Sequence, residues 1–374
     1  MIKIPLVDGD SDMEFELPDT LISKRKCDHL RIVLENDVLF EQKTLLGDIQ
    51  LMHQALPELN CEEIDISCQF FGKLLNAPLM ITSMTGGAEY AGKLNRGLAE
   101  IAQGQRIAFA VGSQRIMLRH PEATVDFAVR KWIPDSVLLG NIGAVQLEEY
   151  PPKAIGEMVK RIDADGVCVH LNVAQELMQQ EGHRHFKGIL ENISRLVDAL
   201  GGRVLVKETG AGLSPQALQK LKDAGVRYID VSGAGGTSWT KVEMYRAPDN
   251  ILARTGQTFA DWGIPTAFSV IAASKIIDDS RIIIASGGIN TGLDIARAIA
   301  AGADLAGFAR PVLMSFMEKG SEGANMMIET AINELRMGML LTGAKNVAEL
   351  KRVPRVYSGK LRHWLKAYGW IEQG

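Results

Sequence analysis

Eight short, almost wholly apolar runs alternate with stretches of helical spacing. Nearly every run ends in small or polar residues, and together these features predict a (β/α)8 barrel. The runs fall at 77–83 (APLMITS), 106–112 (RIAFAVG), 137–143 (VLLGNIG), 166–172 (GVCVHLN), 203–209 (RVLVKET), 228–233 (YIDVSG), 281–289 (RIIIASGGI) and 305–310 (LAGFAR). Continuous apolar character is what parallel strands covered on both faces require. The helical stretches between them include 93–103, 189–200, 215–224 and 293–301. Strand–helix alternation gives right-handed βαβ units, and eight such units close into a barrel. An open doubly wound sheet would gather its glycines at one switch point rather than at most strand ends.

Two regions stand outside the repeat. Residues 1–76 are expected to form an N-terminal extension, with a β segment over 63–71; residues 77–374 are expected to form the barrel with C-terminal helices, one across 324–339. The connection from Gly233 to Ser280 is long and carries GGTSW, a charged stretch through Arg246 and a helix from 265 to 277. Long βα loops in barrels are often lids or binding loops.

Composition narrows the class. With 46% hydrophobic residues in 374, a large core is available. Lys and Arg number 41 against 45 Asp and Glu, a formal charge of -4 that disfavours a dedicated nucleic-acid binder. Cys27, Cys61, Cys68 and Cys168 include no C-x-x-C pair, which argues against a disulfide scaffold and fits a reducing cytosol. Neither a secretory signal nor an apolar stretch long enough for a membrane span is seen, so a soluble cytoplasmic protein is expected.

The chemistry-bearing residues cluster at the ends of the runs. Ser286-Gly287-Gly288 closes the seventh run and Gly307-Phe308-Ala309 lies in the eighth. In barrels these two loops are a recurrent phosphate site, because glycines let backbone N–H groups approach an anion at a helix N-terminus. Lys207 ends the fifth run beside Glu208; it could form a Schiff base, steady an anionic cofactor or pair with Glu208. His170 and Asn172 alternate and so share one side of the fourth run, followed by Gln175 and Glu176. Glu176 suits Mg²⁺, a hard ion that prefers oxygen ligands. Ser113-Gln114-Arg115 ends the second run, with Arg115 a candidate bidentate phosphate ligand. On physics alone, Arg25, Lys26 and His29 read as a solvated basic patch. Tyr90, Trp239 and Trp262 are pocket-lining or packing aromatics, and His183-Arg184-His185 is a polar loop with a metal site as its alternative.

Seven motifs in order resemble the type 2, flavin-dependent isopentenyl-diphosphate isomerases: RKxDHL at 25–30, SMTGG at 83–87, VGSQR at 111–115, NIGA at 141–144, HLNxxQE at 170–176, VKExGxG at 206–212 and DVSGAGGTSW at 230–239. The resemblance runs from about Ser23 to about Met339. It implies an FMN-binding barrel that interconverts isopentenyl and dimethylallyl diphosphate by a 1,3-proton shift, with reduced FMN itself moving the protons. NADPH or another reductant would keep the flavin reduced, and a tetramer or octamer is the family expectation. Ser83, Met84, Thr85, Ser113, Asn141, Lys207, Ser232 and Thr237 would surround the flavin, with Gly287, Gly288, Phe308 and Ala309 at its phosphate. Arg25, Lys26, His29, Ser113, Gln114, Arg115, His170, Asn172 and Gln175 would bind substrate, and Glu176 would hold Mg²⁺. Catalytic roles would fall to Gln175, Lys207 and His170. The resemblance thus moves Arg25-Lys26 from a solvated patch to the site. The chain departs from the family at His183, where an acidic residue is usual, and at Asn290, where arginine is common. The rivals are an FMN-dependent barrel oxidoreductase of the hydroxy-acid oxidase type, which needs no such cationic cluster with Gln175-Glu176, and a non-catalytic flavin or phosphate sensor.

Overall fold

A computed structural model of the chain describes residues 21–84 and 89–372. Eight parallel strands close into a barrel: Leu79–Ile81, Ala108–Ala110, Leu138–Gly143, Gly166–Leu171, Val204–Glu208, Tyr228–Asp230, Ile282–Ala285 and Leu305–Phe308, numbered one to eight in that order. Each lies inside one of the eight apolar runs, and strand eight closes on strand one through Phe308 opposite Ile81. The anticipated helices form at Glu89–Gln105, Ile189–Ala199, Pro215–Asp223 and Gly292–Ala300.

Side-chain alternation divides the core in two. Val167, Val169, Val204 and Val206 pack outward against the helices. Met80, Leu139, Cys168, Leu205, Tyr228 and Ile284 fill the barrel interior. The interior is plugged from the N-terminal end by a hairpin, Cys68–Phe70 with Lys73–Leu75. Its Phe71 ring stacks on Tyr228 with centroids 4.0 Å apart, and Phe70 meets the same ring edge-on. The barrel is therefore solid at that end, and a ligand must enter at the other.

The β segment expected over 63–71 is shorter than its pattern suggests. Cys61–Glu63 is a 3₁₀ turn, and only Cys68–Phe70 is strand. The Asp65 carboxylate accepts the Ser67 N–H at 2.8 Å, a local turn that interrupts extended pairing.

A helix at Leu21–Glu35 and the strap that follows it cross the open end. Ser238 N–H donates to the Val38 carbonyl (2.7 Å), Phe40 N–H to Gly236 (2.9 Å) and Ala267 N–H to Thr44 (2.9 Å), fixing the strap on the loop after strand six. Strand Ile49–Leu51 then pairs with Arg355–Tyr357 near the C-terminus. The long connection holds helices Trp239–Arg246, Asn250–Thr258 and Thr266–Ile276, the last matching the expected 265–277. The helix foreseen at 324–339 lies within Arg310–Leu340, which breaks at Lys319-Gly320. Among the described residues, no helix is long and apolar enough to cross a membrane.

Candidate active site

The alternation that fills the barrel also builds its mouth. Two residues beyond the interior residues Leu139, Cys168, Leu205, Tyr228 and Ile284 stand Asn141, His170, Lys207, Asp230 and Ser286. A period of two keeps them on the inner face. They form a polar belt around the rim. Asn141 Nδ2 donates to Ser83 Oγ (2.5 Å), His170 Nδ1 lies 2.8 Å from Asn141 Oδ1, and Ser286 Oγ donates to Asp230 (2.7 Å). Burial, with Lys207 second, pushes the His170 ring down to about 3, so it is neutral near pH 7. A neutral ring in the belt can donate one hydrogen bond and accept another, which suits it to hold and orient a ligand in the cavity. Lys207 is buried and donates to the Glu208 carbonyl at 2.6 Å. Glu208 does not pair with the lysine through its carboxylate, which instead accepts N–H bonds from Gly210, Ala211 and Gly212.

Above the belt lies a cavity of about 310 Å³, lined by residues from most strand ends and from the N-terminal helix. One side is a backbone cradle. Gly287 and Gly288 have φ of 89° and 74°, in the region that favours glycine. A Cβ on Gly287 would lie 2.1 Å from the Gly233 carbonyl oxygen, and one on Gly288 would lie 2.5 Å from Thr44 Cγ2. Only bare backbone fits, which is the condition for N–H groups to approach a phosphate. With the buried Lys207 ammonium and the polar belt, the cradle fits an anionic, planar cofactor.

The opposite side carries basic side chains. Arg25, His29 and Arg115 line it, and the buried Arg115 Nε has no acceptor among the described residues. A guanidinium N–H left without a partner beside a cavity suits a phosphate oxygen. Glu176 faces the same space, its Oε1 accepting from Asn172 Nδ2 (3.0 Å) and its Oε2 from the His183 N–H (2.7 Å). Among the described residues, no group of three His, Cys, Asp or Glu is placed to hold a metal. A single carboxylate matches Mg²⁺ held chiefly by water and substrate phosphates. The loop at 183–185 has a structural role. Arg184 donates to the carbonyls of Glu176 (2.5 Å) and Gln179 (2.7 Å), holding His183 N–H on Glu176.

Behind this wall sits a buried hub that sequence reading missed. The Glu243 side chain is 1% exposed and 2.5 Å from Arg246 Nη1. Its Oε1 accepts from Gln175 Nε2 (2.9 Å) and Gln179 Nε2 (2.7 Å), and His29 Nε2 lies 2.8 Å from it. Burial opposes ionisation, yet His29, Arg246 and Gln175 hold the carboxyl down to about 2. Glu243 thereby ties the N-terminal helix, the helix Val173–Met178 and the loop helix Trp239–Arg246 together.

The structure brings together on one cavity Arg25, His29, Ser83, Met84, Ser113, Arg115, Asn141, His170, Asn172, Gln175, Glu176, Lys207, Ser232, Thr237, Gly287, Gly288 and Ala309. Gln114 and Phe308 do not reach it. Gln114 is wholly buried, with Oε1 accepting the Asn141 N–H, and Phe308 is buried with its carbonyl accepting the Thr82 N–H and hydroxyl. Thr85, the side chain of Lys26 and that of Tyr90 lie outside the described residues. Trp239 lines the cavity, whereas Trp262 is 65% exposed.

Comparison with known proteins agrees with this geometry. The family model for FMN-dependent dehydrogenases matches residues 144–355, so the chain belongs to that class of flavin-dependent barrel. Solved structures of the same shape include a lactate oxidase from Pediococcus acidilactici (TM-score 0.64, 16% identity, covering 92% of this chain and 96% of that one). A mandelate oxidase variant is also similar (TM-score 0.63, 14% identity, 89% and 94% covered). At those identities the likeness concerns the fold alone. Much nearer in sequence are proteins named isopentenyl-diphosphate delta-isomerase. The one from Nostoc sp. is 44% identical over 341 residues, covering 90% of this chain and 95% of its own. Those from a Synechococcus strain (45%, 89% and 96% covered) and Methanopyrus kandleri (39%, 92% and 95% covered) are comparable. The chain belongs to the isopentenyl-diphosphate delta-isomerase family.

Proposed function

We propose that this protein interconverts isopentenyl and dimethylallyl diphosphate using bound FMN. The observation that carries the reading is the two-sided cavity: a glycine cradle with Lys207 on one wall, and Arg25, His29, Arg115 and Glu176 on the other. Gly287 and Gly288 would hold the flavin phosphate, with Ser83, Asn141, Ser232 and Thr237 around the ring system. When bound and reduced, FMN supplies and takes up the proton of a 1,3-shift, with no net redox change. Arg25, Lys26, His29 and Arg115 would bind the diphosphate, and Glu176 would hold Mg²⁺ against it. Gln175 has no titrating proton, so it orients the substrate. Its amide is itself aligned by Glu243. In this reading residues 1–76 act as an extension that completes the site on the barrel of 77–374. A cytoplasmic homo-oligomer, with NADPH as reductant, completes the proposal.

The test is anaerobic incubation of the purified protein with FMN, dithionite, Mg²⁺ and isopentenyl diphosphate. Appearance of the dimethylallyl isomer without loss of reductant supports the reading. Oxidation of an added hydroxy acid, with stoichiometric use of an acceptor, would point to the oxidase reading instead. Lys207→Ala should weaken FMN binding by about 10- to 100-fold, the value of a buried charge-assisted hydrogen bond. Fluorescence titration of the flavin-free protein measures this, and wild-type affinity in the variant would count against the assignment.

A further inference from the structure

The belt contains one charged residue that the proposed reaction does not use. Asp230 is wholly buried at the end of strand six. Its register neighbour on strand five is Lys207, and on strand seven it is Ile284, two residues before Ser286. Both oxygens accept from Ser286 Oγ, at 2.7 and 2.9 Å, and Oδ1 accepts from the Ser232 N–H at 3.1 Å. Ser286 opens the glycine cradle. Ser232 lines the cavity with φ of 37°, a strained conformation for a non-glycine residue that persists only where its surroundings hold it. Asp230 supplies part of that hold.

We propose that Asp230 is the buried counter-ion of Lys207 and the positioning residue for Ser232 and Ser286, so that a Lys207–Asp230 charge pair, rather than Lys207 alone, sets the field on the bound flavin. Every hydrogen bond that reaches the carboxylate is donated to it, which favours its charged form. Burial pushes the group above the ordinary carboxylate range, and Lys207 leads the interactions that oppose this. A buried lysine without a compensating charge would be costly, and burial in low dielectric strengthens the attraction across neighbouring strands. The consequence is functional. A lone ammonium beside a flavin strongly favours its reduced, more negative state. A partly neutralised one favours it less and keeps reduction reversible.

This inference rests on the flavin reading, so its test has one arm with FMN and one without. In flavin-free protein, the urea unfolding constants of D230N, K207M and the double variant form a cycle. A charge pair predicts that the double variant departs about fivefold or more from the product of the singles. In the FMN-bound form, D230N keeps an oxygen acceptor but loses the charge. It should bind FMN within about threefold of wild type, since hydrogen bonding is largely retained, yet its bound flavin should show a more positive midpoint potential. A merely structural role moves affinity and stability without that potential shift. D230A, which also releases Ser232 and Ser286, should bind FMN about tenfold more weakly. Additive cycle energies, or an unchanged or lowered potential in D230N, would overturn the proposal. A wild-type protein that takes up no FMN would instead sink the flavin reading, and the cycle would still decide the charge pair.

Discussion

Glu243→Ala should lower the stability of this protein by about 3–5 kcal/mol, the usual consequence of removing one partner from a buried ion pair. Glu243 is 1% exposed and Arg246 17% exposed, so solvent screening offers little relief to the guanidinium left behind. Gln175 and Gln179 would each lose an acceptor in the same stroke. A melting temperature lower by roughly 4–6 °C is the expected readout. Activity should fall further than stability explains, because two segments that bear substrate-side residues, the N-terminal helix and Val173–Met178, lose their common anchor. Glu243→Gln keeps the volume and one acceptor, so its loss should be smaller. Its pH behaviour should also differ. With the folded carboxyl near 2 against an ordinary 4.5, the charge stabilises fully above pH 4.5, and that stabilisation disappears as pH falls towards 2. The glutamine variant should lack this part of the acid transition. A wild-type melting temperature in Glu243→Ala would refute the hub.

The eight strands and the converging loop ends were legible in the sequence because both follow from local patterning. Apolar runs report burial on both faces, and the glycines and polar residues report where the runs stop. Parity makes part of the site legible independently of the motifs. Counting by two from Cys168 to His170, or from Leu205 to Lys207, places the side chain inside the barrel before any homologue is considered. The same count from Tyr228 reaches Asp230, so the signal for that residue is present, although as the first letter of a motif it carries no role. Gln114 shows the limit of motif reading: it sits between two cavity residues in VGSQR, yet its side chain turns into the wall to accept the Asn141 N–H. Glu243 was not legible. It lies on a short helix without marked amphipathic patterning, and its partners Gln175 and Gln179 stand 68 and 64 residues away. Only tertiary packing brings those charges together. The segment expected as strand over 63–71 failed for the opposite reason, since apolar alternation at Ile64 and Ile66 reflects burial against the core rather than pairing.

Glu176→Gln should abolish most Mg²⁺-dependent turnover while leaving the flavin in place. The carboxylate receives two donors, Asn172 Nδ2 and the His183 N–H, and still has lone pairs free towards the cavity. An amide there presents its own N–H groups to one of those donors and removes the negative charge a hard cation needs. On the proposed reading, the substrate's phosphates would then face Arg25 and Arg115 without the cation that Glu176 would hold. A Lewis-acidic ion is worth several kcal/mol of charge stabilisation, so a fall in kcat/KM of about 100-fold or more is expected. The Mg²⁺ concentration for half-maximal activity should rise in parallel. FMN affinity should stay within about twofold, because no hydrogen bond links Glu176 to the glycine cradle among the described residues. Loss of flavin together with activity would show that the substitution collapses the cavity. Unchanged activity at limiting Mg²⁺ would remove Glu176 from the metal role and leave the loop held by Arg184 without a function in catalysis.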